Sequence, residues 1–371
     1  MLIETQTLIV GGILLFIAVV TSLCSAFFRR PKIIEMQGTP DSPVRFSIVM
    51  SVCEQAELLA RRLPLFLQQD YPDFEVIVVD DSSSDNTNDV LSALKAQYPN
   101  LYTTFIPKES HYLSRTKLAL TVGVKAAKYE WLVFTGIDCE PTGNDWLTTL
   151  ARYCEHADVV CGYTGLTSAA DQYRRFERLR TNCYLMRSPY RYEGQNLAIR
   201  KEVFLANNGF QNNLTYLRGE YDYLVNECRR HSRVTTMTET QGRMIQDDPD
   251  EKTWRDAHLQ FAETRHHLKH TFGHRLLYHI DTLCCHLGYL VQLAALAFAL
   301  TTQRWQLAAI AGVCLLLTLG LRIFFANRAA KAFDEHISLL KLPFYELRVA
   351  WQNLRFTIAH KKADRYNYIR R

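Results

Sequence analysis

The chain has 371 residues, which is long enough for one domain with a full hydrophobic core together with membrane segments. Its 43 lysines and arginines outnumber its 38 aspartates and glutamates, but the net charge of +5 is too small and too dispersed to indicate a nucleic-acid-binding surface. The ten cysteines include no C-x-x-C pair and no metal-ligand spacing with histidine. They indicate reduced thiols in a protein that faces the cytosol, and the length of the chain excludes a small disulfide-stapled fold.

The first apolar segment, 8–28, contains 21 residues without a charge. At about 1.5 Å per residue, this length is sufficient to cross a hydrocarbon core of about 30 Å. A secretory signal peptide would begin with a basic region, whereas this chain begins MLIETQT and places Arg29, Arg30 and Lys32 after the apolar segment. The segment therefore predicts an N-terminal transmembrane helix.

Two further apolar stretches lie within 282–321 and are separated by the polar sequence TTQR. This pattern predicts a transmembrane helical hairpin. Basic residues flank the predicted spans at 29–32, 269–275 and 322–331. Because lysine and arginine favour the cytosolic side, we expect all three flanks in the cytosol and the hairpin turn outside.

The C-terminal tail, 333–371, mixes apolar and basic residues around Pro343. Such a mixture is typical of an amphipathic helix that lies in the membrane interface. A soluble C-terminal helix fits the same residues equally well, and both interpretations stay open.

The segment 44–272 alternates apolar runs with helical stretches, beginning with FSIVMSV and FEVIVVDD. Later strands are predicted at 101–106, 130–137 and 158–163, and helices at 55–69, 86–97, 114–128 and 145–155. The apolar runs are nearly continuous, so both faces of the sheet are expected to be covered. The pattern predicts an α/β fold with a mostly parallel sheet and flanking helices.

Acidic residues follow two of these strands. Asp80 and Asp81 end the second strand, and Asp138 and Glu140 follow the fourth. Such acids often only cap the next helix, but ligands of open parallel sheets bind beyond the carboxyl ends of the strands. The chain has neither G-x-x-x-x-G-K-[ST] nor G-x-G-x-x-G. A bound diphosphate is therefore expected to need a divalent cation, Mg²⁺ or Mn²⁺, held by carboxylates.

In their order and spacing, these residues resemble family 2 glycosyltransferases with the GT-A fold, specifically the membrane-associated kind found in bacterial cell-surface glycan synthesis. The resemblance covers about 45–272 and rests on LPLFLQQDYPDFEVIVVDDSSSDNT, KLALTVGVKAAKYEWLVFTGIDCEPTGNDWL, GQNLAIRKEVFLANNGF and GEYDYLVNE. It implies a nucleotide-diphospho-sugar donor, with a UDP-sugar favoured over a GDP-sugar, and a lipid-linked or glycan acceptor. It also implies a multi-pass protein of the bacterial inner membrane whose catalytic domain faces the cytosol.

For the donor, the resemblance implies that Asp80 and Asp81 hold the nucleoside. Arg115 and Lys117 correspond to basic positions beside the base or the diphosphate, although an exposed helix face would explain these two residues equally well. The four residues are the candidate nucleotide-binding site.

For the metal, the end of the fourth strand corresponds to the D-x-D motif of the family. The usual first aspartate is Gly136 in this chain, and only Asp138 remains, with Glu140 two residues further on. One carboxylate with phosphate oxygens and waters is an ordinary arrangement for Mg²⁺. Asp138 and Glu140 are therefore the candidate metal ligands.

For the chemistry, the resemblance implies an inverting displacement in which a carboxylate removes the proton of the acceptor hydroxyl. The acidic cluster of the family corresponds to Gly219-Glu220-Tyr221-Asp222, where Tyr221 occupies a position that is often aspartate. Asp222 is the preferred base and Glu220 the second candidate. Acids that only stabilise a helix N-terminus are the alternative for both.

The processive polysaccharide synthases of this family carry a Q-x-x-R-W motif. Here Gln260 is followed by Glu263 and Thr264, so transfer of a single sugar is favoured over polymerisation.

A catalytically inactive membrane partner of an active transferase is the alternative, because Gly136 and Tyr221 depart from the family pattern. A nucleotidyltransferase is disfavoured, since the residues after the first strand are acidic rather than basic.

Overall fold

A computed structural model describes residues 5–33, 35–36, 38, 43–109, 114–214, 216 and 218–362. The strands, in chain order, are β1 (Phe46–Val52), β2 (Phe74–Asp80), β3 (Leu101–Phe105), β4 (Trp131–Phe134), β5 (Cys139–Pro141), β6 (Val159–Gly162), β7 (Thr164–Leu166), β8 (Leu197–Arg200), β9 (Val234–Met237) and β10 (Met244–Gln246). The α-helices are α1 (Thr5–Leu23), α2 (Ala56–Leu67), α3 (Thr87–Gln97), α4 (Arg115–Ala126), α5 (Trp146–Cys154), α6 (Gln172–Leu185), α7 (Lys201–Ala206), α8 (Glu220–Cys228), α9 (Glu251–Thr264), α10 (Phe272–Thr301), α11 (Trp305–Ala332) and α12 (Leu342–Lys362). The last part of the predicted tail, 363–371, lies outside the described residues.

The chain divides into two compact units. The helical unit comprises Met1–Pro31, Asp171–Arg187 and His270–Ile358, and the α/β unit comprises Lys32–Ala170, Ser188–Lys269 and Ala359–Arg371. The sequence predicts one continuous α/β domain over 44–272, whereas the structure places α6 in the helical unit. The reason is packing between residues far apart in the chain, because the Phe176 ring of α6 lies 5.8 Å from that of Phe27 and 5.5 Å from that of Tyr345.

The α/β unit is built on a seven-stranded sheet in the order β3-β2-β1-β4-β8-β6-β9. The central strand, β1, pairs in parallel with β2 and β4, and β8 is antiparallel to β4 and β6. Every β1 side chain except Ser51 is buried, as are all those of β4, so both faces are covered. The predicted α/β fold is confirmed, and its predicted strands and helices agree with the structure to within three residues at each end.

A smaller sheet of three strands, in the order β5-β10-β7, follows the carboxyl end of β4. Its central strand, β10, is antiparallel to β5 and parallel to β7. This sheet brings residues near 246 beside residues near 138, and the two segments are far apart in the chain.

The described part of the helical unit contains three helices that are long and apolar enough to cross a membrane: α1, α10 and α11. They are offset from the predicted segments 8–28 and 282–321, and α10 begins ten residues before its apolar stretch. The two helices α10 and α11 are antiparallel, with the Gln292 amide donating to the Thr318 hydroxyl at 2.8 Å.

The first helix, α1, runs in the same direction as α11. Gly11 of α1 lies beside Ile310, and ten residues later the carbonyl of Thr21 accepts a hydrogen bond of 3.0 Å from the Arg322 guanidinium. The beginning of α1 and the turn between α10 and α11 therefore lie at one end of the bundle. The ends of α1 and α11, with the beginning of α10, lie at the other end.

Candidate active site at the carboxyl edge of the sheet

The predicted nucleotide-binding acids lie where β2 ends, opposite the last residue of β1. Asp80 is only 2% exposed, and its carboxylate accepts hydrogen bonds from the backbone N–H and the hydroxyl of Ser83. The backbone N–H of Asp81 donates to the Val52 carbonyl at 2.8 Å. Asp80 thus fixes the turn that follows β2, and the turn places Asp81 at the edge of the sheet.

Asp81 and Arg115 form a two-point ion pair. The Nε and Nη2 atoms of Arg115 lie 2.6 Å and 2.5 Å from Oδ1 of Asp81, and Nη2 also donates to the Ser82 hydroxyl at 2.9 Å. Both side chains are partly accessible to solvent. The structure therefore brings together two residues that the sequence predicts separately, at the start of α4 and at the end of β2.

Lys117 lies in the first turn of α4 with its side chain fully buried. Its ammonium group donates to the carbonyls of Asn213, at 2.7 Å, and Tyr216. Burial lowers the pKa of Lys117 to about 8. The structure thus gives Lys117 a part in holding the backbone at Asn213 and Tyr216, and its predicted contact with the donor stays a prediction.

Asp138 follows β4, as the sequence predicts, and so lies at the same edge as Asp80. Its Oδ2 accepts a hydrogen bond of 2.7 Å from the Gln246 amide, and its backbone carbonyl accepts the N–H of Asp247 at 3.0 Å. A Cβ atom at Gly136 would lie only 2.4 Å from Oδ1 of Asp138. Because Gly136 has no side chain, the Asp138 carboxylate occupies the space beside it.

Glu140 lies in β5, opposite Ile245 of β10, and its carboxylate is 3.2 Å from Nε of Arg62. The same buried guanidinium donates to both carboxylate oxygens of Asp247, at 2.8 Å and 2.6 Å. Glu140 is thus engaged by a cation, and its role as a second metal ligand stays a prediction. Sequence reasoning missed Arg62 and Asp247, although the acids after the apolar Met244 and Ile245 repeat the pattern seen after β2.

The donor atoms at Asp138 fit a divalent cation. Within the part of the chain that the structure describes, Oδ1 of Asp138 receives no N–H or O–H donor, its only hydrogen-bond contact being the Cys139 thiol at 3.8 Å. No group of three His, Cys, Asp or Glu side chains suited to a metal occurs among the described residues. One hard carboxylate oxygen completed by donor phosphates and waters is the arrangement that these residues can offer.

The acidic cluster predicted to contain the base forms the first turn of α8, after Gly219, whose φ of +79° requires glycine. Oε1 of Glu220 is buried and has no hydrogen-bond partner among the described residues. The Tyr221 ring packs against Phe134 of β4, with centroids 5.7 Å apart. Burial raises the pKa of Tyr221, and the charges of Glu220 and Asp138 raise it further.

Asp222 is a buried carboxylate, 6% exposed, beside Arg191. Nη1 of Arg191 lies 3.3 Å from its Oδ1 and 2.6 Å from Oε2 of Glu193, and the guanidinium stacks 4.0 Å from the Phe261 ring centre. Burial raises the pKa of Asp222 to about 6, although Arg191 acts in the opposite direction. Sequence reasoning missed Arg191, which lies in the basic and aromatic sequence YRYEG before β8.

The chain is similar to known sequences over part of its length. Residues 47–210 match the profile of the family described as Glycosyl transferase family 2. An uncharacterized glycosyltransferase of Nostoc sp. is 35% identical over 57 residues, which cover 15% of this chain and 18% of that protein. The match thus spans less than a fifth of the curated relative.

Two solved structures are similar over most of the chain. A mannosyltransferase from Pyrobaculum calidifontis, in complex with GDP-Man and Mn²⁺, has 16% identity and a TM-score of 0.53, covering 92% of this chain and 99% of its own. TarS 1–349 of S. aureus has 14% identity and a TM-score of 0.44, covering 87% and 93%. At this level of identity, the first comparison shows a shared fold.

Proposed function

We propose, from the match of residues 47–210 to the profile of glycosyltransferase family 2, that the protein transfers a single sugar from a nucleotide-diphospho-sugar to a lipid-linked or cell-surface glycan precursor. The main supporting observation is that the carboxylates of Asp80, Asp81 and Asp138 follow parallel strands at one edge of the sheet. The acids of α8 reach the same edge, because Tyr221 packs on β4.

The donor nucleotide is proposed to lie over the turn after β2. Asp80 holds this turn in shape, and the Asp81–Arg115 ion pair offers both an acceptor and donors to the base or ribose. A uridine nucleotide is favoured over a guanosine nucleotide. The diphosphate extends towards Asp138, which would hold Mg²⁺ or Mn²⁺ through Oδ1. A bound ion of this kind offsets the negative charge that develops on the leaving diphosphate.

Asp222 is proposed to remove the proton from the acceptor hydroxyl. The hydroxyl oxygen forms its bond to the anomeric carbon from the side opposite the diphosphate, whose bond breaks, and the configuration at that carbon inverts. A carboxyl group with a pKa of about 6 is mainly ionised at pH 7 and is a stronger base than an ordinary aspartate. Glu220, whose buried Oε1 lies 3.9 Å from the Arg218 guanidinium and accepts no hydrogen bond among the described residues, is the second candidate.

The protein is proposed to cross the bacterial inner membrane with α1, α10 and α11, with the α/β unit in the cytosol. The end of the bundle that would then face the cytosol carries basic residues near each helix, whereas the turn at the other end carries only Arg304. The flanking basic residues within the described part of the chain are Arg29, Arg30, Lys32, Lys269, Arg275, Arg322, Arg328 and Lys331. This distribution agrees with the preference of lysine and arginine for the cytosolic side.

The reaction can be tested with the purified full chain in lipid nanodiscs, supplied with a panel of UDP- and GDP-sugars, a bacterial lipid extract and Mn²⁺. Release of nucleoside diphosphate and transfer of labelled sugar to lipid are measured for the wild type, Asp222→Asn and Glu227→Gln. The last variant is a matched control, because Glu227 is also an acid of α8 but pairs with Lys269.

We expect the wild type and Glu227→Gln to transfer sugar from one donor, and Asp222→Asn to be slower by about 10²- to 10⁴-fold. Equal rates for Asp222→Asn and the wild type would contradict the assigned base. If a nucleotide binds but no donor yields product, the protein is an inactive membrane partner rather than an enzyme.

A further inference from the structure

The last helix, α12, has one covered face and one uncovered face. Tyr345, Val349 and Phe356 are buried within the helical unit. On the other side, four large apolar side chains are exposed to solvent: Phe344 (73%), Trp351 (69%), Leu354 (52%) and Ile358 (46%). Their spacing of seven, three and four residues places them along one side of the helix. We name these four residues the apolar stripe.

The charged side chains on the uncovered face are positive. Arg348 and Arg355 are exposed and follow Phe344 and Trp351 by four residues each, so they border the apolar stripe. The Arg348 guanidinium stacks 4.0 Å from the centre of the Tyr173 ring. The only acid of α12, Glu346, is buried. An apolar surface bordered by cations is complementary to a leaflet with anionic headgroups.

Glu346 attaches the covered face of α12 to the helices proposed to cross the membrane. Both of its carboxylate oxygens accept hydrogen bonds from Arg322 of α11, at 2.7 Å and 2.9 Å. Arg322 also donates to the carbonyl of Thr21 near the end of α1 and lies 3.6 Å from Asp281 of α10. The position of Arg322 along the axis of the bundle therefore sets the position of α12 along the same axis.

The position of Arg322 along the bundle corresponds to one surface of a membrane. Arg322 lies seventeen residues after α11 begins at Trp305, or about 25 Å along the helix. Asp281 lies twenty residues before α10 ends at Thr301, or about 30 Å. A hydrocarbon core is about 30 Å thick. With the turn between α10 and α11 at one surface, Arg322, Asp281 and the attached α12 lie at the other surface.

We propose that the apolar stripe of α12 inserts into the headgroup boundary of the leaflet at this surface, and that Arg348 and Arg355 select anionic lipids. Trp351 is well suited to such a position, since its indole has an apolar body and a polar N–H group. The proposal concerns how the protein is held on the membrane and does not depend on the reaction of the α/β unit.

The test uses Trp351 as a probe in the full chain, reconstituted into phosphatidylcholine vesicles with or without phosphatidylglycerol. Fluorescence is quenched either by lipids carrying a nitroxide at a shallow position or by acrylamide in the aqueous phase. Subtracting the signal of Trp351→Phe removes the contribution of the other four tryptophans. We expect the Trp351 component to be quenched by the nitroxide lipid, protected from acrylamide, and quenched more when phosphatidylglycerol is present.

Quenching of Trp351 by acrylamide without quenching by the nitroxide lipid would overturn the proposal, because the stripe would then face water. Protection from both quenchers would also overturn it and would indicate that a second copy of the chain covers the stripe. The choice of lipid is tested with Arg355→Gln, which should lose part of the phosphatidylglycerol effect, against Arg355→Lys, which should keep it. An equal response of the two variants would contradict selection by charge.

Discussion

Asp222 is almost completely buried and yet lies 3.3 Å from the guanidinium of Arg191. Burial disfavours the charged carboxylate and Arg191 favours it, and burial is the larger effect, so the pKa is raised to about 6. This balance keeps the carboxylate ionised near neutral pH while making it a better proton acceptor. With Asp222 as the proposed base, we expect the activity to depend on pH and on the residue at position 191.

The first prediction concerns the pH dependence of kcat/KM. The active form of the base is the deprotonated one, so kcat/KM should fall as the pH drops through about 6 and should level off above this value. Initial rates at saturating donor and low acceptor, measured across this range, test the expectation. A rate that stays constant through pH 6 would exclude Asp222 as the base.

The second prediction concerns Arg191, proposed to position Asp222. Replacing it by glutamine removes the cation that lowers the pKa of Asp222, so the acidic limb of the profile should move to higher pH. Arg191→Lys retains the charge and should shift the limb less, although it loses the planar stacking on Phe261. If both variants lower the rate equally at every pH, Arg191 has only a structural role.

At the scale of structural elements, strands and helices near the site were predictable because their apolar patterns are local. Residues 46–52 and 74–80 are apolar runs that form buried parallel strands, and Asp80 and Asp81 lie at the carboxyl end of the second of them. The Arg62–Asp247 pair joins residues 185 positions apart, and no local pattern specifies it. The same holds for α6, which is assigned to the helical unit by contacts with sequence-distant residues.

The turn between β4 and β5 depends on Gly136. In Gly136→Ala, the added Cβ would lie 2.4 Å from Oδ1 of Asp138, so that carboxylate must turn away from its present position. Because a displaced ligand weakens metal binding, we expect the Mn²⁺-dependent affinity for the donor nucleotide to fall by about 10- to 100-fold. Calorimetric titrations with and without Mn²⁺ measure this, and the affinity without metal should not change.

An unchanged affinity of Gly136→Ala in the presence of Mn²⁺ would show that the position of Asp138 does not matter for the metal. Arg62→Gln offers a second test of the neighbouring segment, since it would free Glu140 and Asp247 while leaving Asp138 in place.

At the scale of the whole molecule, the helical unit contains buried charges that hold together helices distant in sequence. Arg322 pairs with Glu346 and lies close to Asp281, which in turn accepts a hydrogen bond of 2.8 Å from Arg180 of α6. The two cations balance the two acids. Sequence patterns predicted the apolar spans but not this cluster, because the partners lie on α6, α10, α11 and α12.

Removing one member of the cluster should be costly. Arg322→Met leaves Glu346 without its cation, whereas Asp281 keeps Arg180, and the change should lower the free energy of unfolding by about 3 to 5 kcal/mol. Unfolding in mixtures of mild and denaturing detergent measures this change. Since Glu346→Gln removes the unpaired charge, the double variant should be more stable than Arg322→Met alone. Additive losses in the two variants would contradict a direct pair.

The proposed reaction depends most directly on metal-assisted binding of a nucleoside diphosphate at Asp138. Calorimetric titration of the detergent-solubilised full chain with UDP and with GDP, with and without Mn²⁺, measures this for the wild type and for Asp138→Ala. We expect one nucleotide, with uridine favoured, to bind tightly only with Mn²⁺ and to lose this binding in Asp138→Ala. If neither nucleotide binds at millimolar concentration in the presence of Mn²⁺, the proposed glycosyl transfer is contradicted.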